Sequence, residues 1–305
     1  MVCPCHGSGL PWSFTSLGRP DGMAPDKCWQ GLHSPSYLWK RTFIMRHILL
    51  PTDFSEASFK AALFALDLFG TENVEYTFLN VYLKLAYRNA LLPQGQDTER
   101  ASRNGLRRVE RRFRRKAGKV RVALRSSFSA LVNAMEELDA ANPVDLVIMG
   151  TQGEGNYGRV GRNTSAAVTS SALPVIAVPA KWEPVKLDRV LFADDGMQET
   201  GASLRPLVDI AGLTGARIIV LHVDQGNTAG PRPTPKASTE GLPPPFLAVQ
   251  GDAVVDTLER TVLEEGIDLV AVVRRKRSLW YRLFQGSTSK RMALHGIVPL
   301  LVLRG

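Results

Sequence analysis

The stretch MGTQGEGNYGRVGRNTSAAV, residues 149–168, carries the residue types and spacing most able to do chemistry in this chain. It follows an apolar run, 144–150, and precedes an amphipathic stretch, so it reads as a loop between a strand and a helix. Gly150 and Gly153 let the main chain approach a phosphate with no Cβ in the way, so that amide N–H groups can point at its oxygens. A helix beginning near Asn163 and Thr164 adds unpaired N–H groups and the positive end of its dipole. Thr164 and Ser165 bring hydroxyls, and Arg159 and Arg162 bring charge. The chemistry is anion binding. Asp53, just past the run 46–51 (RHILLP), is expected at the same end of the sheet, because ligands of open α/β sheets sit beyond the carboxyl ends of strands. The competing reading is that Asp53 only caps the helix that starts at Ser55.

Other chemistries are not supported. The sequence has no G-x4-GK-[ST] phosphate loop, no H-E-x-x-H and no G-x-S-x-G. His6, His33, His47, His222 and His295 are scattered, and no base and nucleophile can be paired, so no catalytic residue is named. The three cysteines all lie in the first 28 residues, which argues against a disulfide scaffold and fits a reducing, cytoplasmic setting. Cys3, Cys5 and His6 are too tightly spaced for the usual zinc patterns, and no metal site is expected.

The elements that must position the loop can be read from hydrophobic period. Residues 1–44 are rich in Gly, Pro, Ser and Trp without any period, and are expected to be a disordered or artefactual extension. From Met45 short apolar runs alternate with amphipathic stretches. Strands are predicted at 46–51, 74–81, 119–124, 144–150 and 174–179. Helices are predicted at 55–69, with Ser55 as N-cap and Gly70 as stop, at about 97–117, at 129–141 and at 163–172. This alternation implies parallel pairing and a doubly wound α/β sheet.

The same order then returns. Strands are predicted at 188–193, 216–223, 246–250, 267–273 and 298–303, with helices at 198–213, 252–264 and 287–294. Asp53 aligns with Asp195, and Pro174 with Pro299. No helix can run through PRPTPKASTEGLPPP, so the second copy lacks the helix that 97–117 supplies in the first. The expectation is two tandem doubly wound parallel-sheet domains, 45–180 and 187–305, joined by the linker 181–186. Their last strands are expected to pack together, burying Val175, Ile176, Val178, Leu300, Leu301 and Leu303.

Gly150 and Gly153, followed nine residues later by Asn163 and Thr164, resemble the G-x2-G-x9-G-[ST] ATP-binding signature of the universal stress protein (UspA-type) family. ILLPTDFSEAS and DLVIMGTQG are similar to that family's opening strand and pre-loop strand. The resemblance spans about residues 45–305 as two such domains. It implies a Rossmann-like, adenine nucleotide alpha hydrolase-like fold, a stress-response role, and ATP as ligand, with or without Mg2+. It also implies the following roles. Asp53 would bind the adenine or ribose end, Pro51 and Thr52 would line that pocket, and Val81 would touch the base. Met149, Gly150 and Gly153 would face the ribose and first phosphates. Asn163, Thr164 and Ser165 would hold phosphates through amides and hydroxyls. Asn163 departs from the motif glycine; asparagine tolerates left-handed backbone, so the turn can persist while its side chain crowds the phosphates. In the second copy, Arg274 and Arg277 are aligned with Gly150 and Gly153, and no ATP is expected there.

Charge adds one more feature. The net charge of +9 is concentrated in 103–121, which holds ten Arg or Lys and one Glu. Leu106, Val109 and Phe113 fall at helical spacing, so the first reading is an amphipathic helix with a solvated arginine face, and nucleic acid is not the expected partner. The expected function is an ATP-binding regulatory module acting through nucleotide-dependent conformation and partner contacts, possessing at most weak ATPase activity. A nucleic-acid-binding accessory protein using 103–121 and a slow ATP hydrolase are the alternatives. A homodimer is compatible with the sequence; no membrane partner is expected.

Overall fold

The computed structural model describes residues 45–82, 96–151, 161–194, 201–224, 246–250, 254–275 and 298–305. Its first half runs β1 (Arg46–Pro51), α1 (Glu56–Phe69), β2 (Val74–Val81), α2 (Gln96–Ala117), β3 (Arg121–Ser127), α3 (Leu131–Ala141), β4 (Leu146–Gly150), α4 (Arg162–Ser170) and β5 (Val175–Val178). The second half runs β6 (Arg189–Asp194), α5 (Gly201–Thr214), β7 (Arg217–Asp224), β8 (Phe246–Gln250), α6 (Val254–Glu264), β9 (Leu269–Arg274) and β10 (Leu300–Arg304). The predicted helix at 287–294 and the proline-rich stretch after β7 lie outside the described residues.

All ten strands form one sheet in the order β3-β2-β1-β4-β5-β10-β9-β6-β7-β8. Every pairing is parallel except β5 with β10, where Ile176 faces Leu301 and Val175 faces Val302. β4 and β5 are fully apolar runs, and β1 is apolar after Arg46 and His47, because a parallel sheet is covered on both faces. α1 forms because Ser55 accepts from Ser58 N at 3.2 Å and Gly70, at φ 68°, stops it by donating to Leu66 O. Its buried face mixes Phe59, Phe64 and Leu68 with Ala61, Ala62 and Ala65, small residues that seat the helix close to the sheet.

The two halves repeat at the level of individual hydrogen bonds. His47 N donates to Asp145 Oδ2 at 2.7 Å, and Asp145 N returns to His47 O at 3.0 Å. Arg189 N donates to Asp268 Oδ2 at 2.9 Å, and Asp268 N returns to Arg189 O at 2.9 Å. Val147 N meets Pro174 O, and Val270 N meets Pro299 O, both at 3.0 Å. An aspartate at the foot of β4 or β9 thus staples the start of β1 or β6.

These bonds correct the alignment of the second half by one residue. With Asp268 opposite Asp145, Gly150 matches Val273, not Arg274, and Thr151 matches Arg274. The run RRKR misleads because charge marks the loop and says nothing about register. β3 also differs from the predicted 119–124. Gly118, at φ 72°, ends α2, and Arg114 Nη1 binds Val120 O at 2.7 Å, so residues 119–120 form a turn and pairing with β2 extends to Ser127. Residues 181–186 are anchored to α1. Trp182 packs edge-on to Phe64 at 5.3 Å, and Lys60 Nζ donates to Trp182 O at 3.1 Å.

Candidate anion-binding site

A crevice of about 330 Å³ opens at the carboxyl ends of β1, β2 and β4. β1 lies between β2 and β4, and the chain leaves it in one direction towards β3 and later in the other towards β5. That is the switch point where the following loops diverge and leave a cleft.

One wall is the start of α4. Its N-cap is Gly161, with φ −60° and ψ 148°, and no side chain caps the helix. The first intrahelical bond is Ser165 N to Gly161 O at 2.9 Å, so the amides of Arg162, Asn163 and Thr164 are the surplus donors of a helix start. Gly161 N itself is taken by Thr151 O at 2.8 Å. Thr164 is buried, and its hydroxyl donates to Gly150 O at 2.8 Å, so the helix is tied to the end of β4. That proton is thereby committed, and what Thr164 offers the crevice is its amide. Ser165 does not line the crevice, and its amide is used within the helix. Thr164→Val removes the tie and leaves the Gly150 carbonyl buried without it. A loss of about 1–2 kcal/mol is expected, read as a lower urea midpoint at unchanged slope.

Asn163 sits at the second position of α4, inside the helix. Among the described residues only Phe54 and Asn73 are non-glycine residues with positive φ. The left-handed turn expected at Asn163 is therefore not used, because the bend is made at Gly161, and what Asn163 adds to the crevice is its exposed side chain.

The facing wall is the β1–α1 turn. Pro51, Thr52 and Asp53 all line the crevice. Asp53 is exposed and takes Ser55 N at 3.1 Å and Ser55 Oγ at 2.6 Å on Oδ1, so it orders the turn while standing at the rim. Thr52 is buried. Its Oγ1 accepts from Phe54 N at 3.0 Å and lies 3.0 Å from Ser58 Oγ, whose own proton goes to Ser55 O. Phe54 holds φ 69°, an unfavoured backbone for an aromatic residue, and its ring occupies the place that a Cβ on Gly105 of α2 would need.

Gly150 has a second role beyond the one its sequence context suggests. A Cβ there would lie 2.8 Å from Ala57 O and 2.9 Å from Ala57 C, so the first turn of α1 can rest on β4 only because residue 150 is glycine. In the second half the matching residue is Val273, which is buried.

Sequence reasoning missed Asn80, Ser58, Leu79 and Leu131, all of which line the crevice with Val81 and Met149. Asn80 is buried near the end of β2. Its Nδ2 donates to Thr52 O at 2.7 Å, its Oδ1 accepts from Ser102 Oγ at 2.7 Å, and Ser102 Oγ lies 2.7 Å from Ser126 Oγ. This chain ties β1, β2, α2 and β3 together beneath the crevice. The available signal was a lone amide in the strand VEYTFLNV, since a buried polar side chain must find partners. Gly153 lies outside the described residues.

The fold and the crevice together define an open α/β protein with a candidate anion site at its switch point. Residues 45–179 match the family model of the Universal stress protein family, so this segment of the chain is a domain of that family. A universal stress protein from Archaeoglobus fulgidus superposes with TM-score 0.60 at 18% identity, covering 86% of this chain and 97% of that one. A protein described as a putative universal stress protein from Pseudomonas aeruginosa gives TM-score 0.51 at 15% identity, covering 86% and 94%. At these identities the likeness establishes the fold. No curated protein matches the chain. No helix among the described residues is long and apolar enough to cross a membrane.

Proposed function

We propose that the crevice binds an adenine nucleotide, ATP in the first instance, and that the chain works as a nucleotide-dependent regulatory module. The observation that carries this reading is the start of α4: three consecutive surplus amides, Arg162 to Thr164, at a glycine N-cap that provides no competing side chain. A helix start of this kind suits a phosphate. Asp53 stands across the crevice from those amides, as a hydrogen-bond acceptor for a ribose or base. Leu79, Val81 and Leu131 give the base an apolar seat, and Arg162 adds a positive charge to the phosphate end.

The chemistry of these donors fits a nucleotide phosphate. The residues of this chain bind and orient it; among the described residues no group of His, Cys, Asp or Glu could hold a metal by itself, so a divalent ion would arrive with the nucleotide. The two halves are read as a tandem pair in which only the first binds nucleotide. Val273 in place of Gly150 supports that reading, as does β10 joining β5 to make one continuous sheet. A nucleotide that changes the β1–α1 turn would be sensed by α2, because Phe54 lies against Gly105.

The test is chemical. Purified chain is denatured and the released small molecules are identified by mass spectrometry. An adenine nucleotide at a fraction approaching one per chain, absent from a Gly153→Trp preparation, is the expected result. Release of no nucleotide, together with no rise in melting temperature on adding 5 mM ATP, overturns the reading.

A further inference from the structure

α2 presents a continuous arginine face with no apolar residue on it. Leu106, Val109 and Phe113 are buried against the sheet, with Phe113 edge-on to both Tyr76 and Phe78 at 5.2 Å. The opposite face exposes Arg103, Arg107, Arg108, Arg111, Arg115 and Lys116. Arg103, Arg107, Arg111 and Arg115 recur every fourth residue, so they form one stripe about 18 Å long.

The acidic residues nearby are already used, one of them on Arg103 at the end of the stripe. Glu99 pairs with Arg103, Glu110 with Arg114, and Glu56 with Arg112, whose guanidinium also lies 3.7 Å above the centre of the Phe59 ring. Among the described residues, Arg107, Arg108, Arg111 and Arg115 meet no carboxylate. A shallow groove on this helix is lined by arginine alone: Arg108, Arg111, Arg112, Arg114 and Arg115.

We propose that this face docks on the phosphate backbone of a nucleic-acid duplex, without reading its sequence. A protein partner would need an apolar centre to desolvate, and this face offers none. A membrane would need an inserted apolar side, and the apolar side of α2 is buried in the fold. A single strand would need exposed aromatic platforms, and Phe113 is inaccessible. A duplex backbone needs cations in a row, and arginine forks suit phosphate oxygens. The site is separate from the crevice and stands or falls apart from the nucleotide reading.

The experiment uses the full chain and a fluorescein-labelled mixed-sequence DNA duplex of 20 base pairs, with anisotropy read from 50 to 200 mM KCl. Four to five phosphate contacts predict a log–log slope of about −4 and a roughly 250-fold loss of affinity over that range. Replacing Arg107, Arg108, Arg111 and Arg115 together by Gln should bring the slope close to zero, with the melting temperature unchanged because all four are exposed. The same four changed to Lys should keep most of the slope, and Arg111→Glu alone should weaken binding. Three outcomes overturn the proposal: no binding at 50 mM KCl, a slope that the Gln variant leaves unchanged, or a poly-glutamate competitor that displaces the duplex at equal charge concentration.

Discussion

Changing Gly150 to valine lowers the stability of the folded chain by about 3 kcal/mol, near the upper end for overpacking a core. The first added carbon already meets Ala57 O at 2.8 Å and Ala57 C at 2.9 Å, and both are backbone atoms that cannot rotate aside. Relief requires α1 to move away from β4, which disturbs Thr52, Asp53 and Ser58 at once. Nucleotide affinity should therefore fall with stability. Chemical denaturation followed by far-ultraviolet circular dichroism measures the first effect. A variant within 0.5 kcal/mol of the parent would mean that the helix is not seated on this glycine. The control is Val273→Gly in the second half, which removes buried surface without relieving any clash and should be destabilising as well.

The second large effect is expected at Asn80. Leucine is similar in size but donates and accepts nothing. It would leave Thr52 O without its donor and Ser102 Oγ without its acceptor, both in a buried setting. Each orphaned group costs about 1–3 kcal/mol, so a total near 3 kcal/mol is expected. Aspartate at the same place keeps an acceptor for Ser102 but sets an oxygen against the Thr52 carbonyl, and should be no better. Ser126→Ala, at the far end of the chain, should cost much less, because Ser102 still binds Asn80. Urea midpoints for the three variants give the order directly. Equal losses at Asn80 and Ser126 would show that the amide is not the centre of the network.

The strands were legible because parallel strands covered on both faces are largely apolar, as LVIMG and the ILLP of β1 are. α1 was legible from its two punctuation residues, Ser55 and Gly70. Glycine, hydroxyl and helix start converge in sequence between Gly150 and Thr164, and Gly150, Asn163 and Thr164 do line the crevice. What escaped depends on contacts between distant segments. Asn80 meets Thr52 and Ser102 only after β1, β2 and α2 are assembled. Gly150 reads as a residue that lets a phosphate approach, yet the atoms nearest its missing side chain belong to α1. The left-handed turn expected at Asn163 failed for a local reason, since the helix begins one residue earlier, after Gly161. The second half slipped by one residue because its arginines mark the loop, whereas Asp268 sets the register.

The nucleotide reading comes down to the amides at the start of α4. In a nitrogen-15-labelled, deuterated sample, ATP titrated with Mg2+ should shift the backbone amide signals of Arg162, Asn163 and Thr164 saturably and more than the rest of α4. Ser165, whose amide is held by Gly161 O, should move less. Saturation of signals elsewhere with these three unmoved, or no saturable change up to 5 mM ATP, would contradict the account.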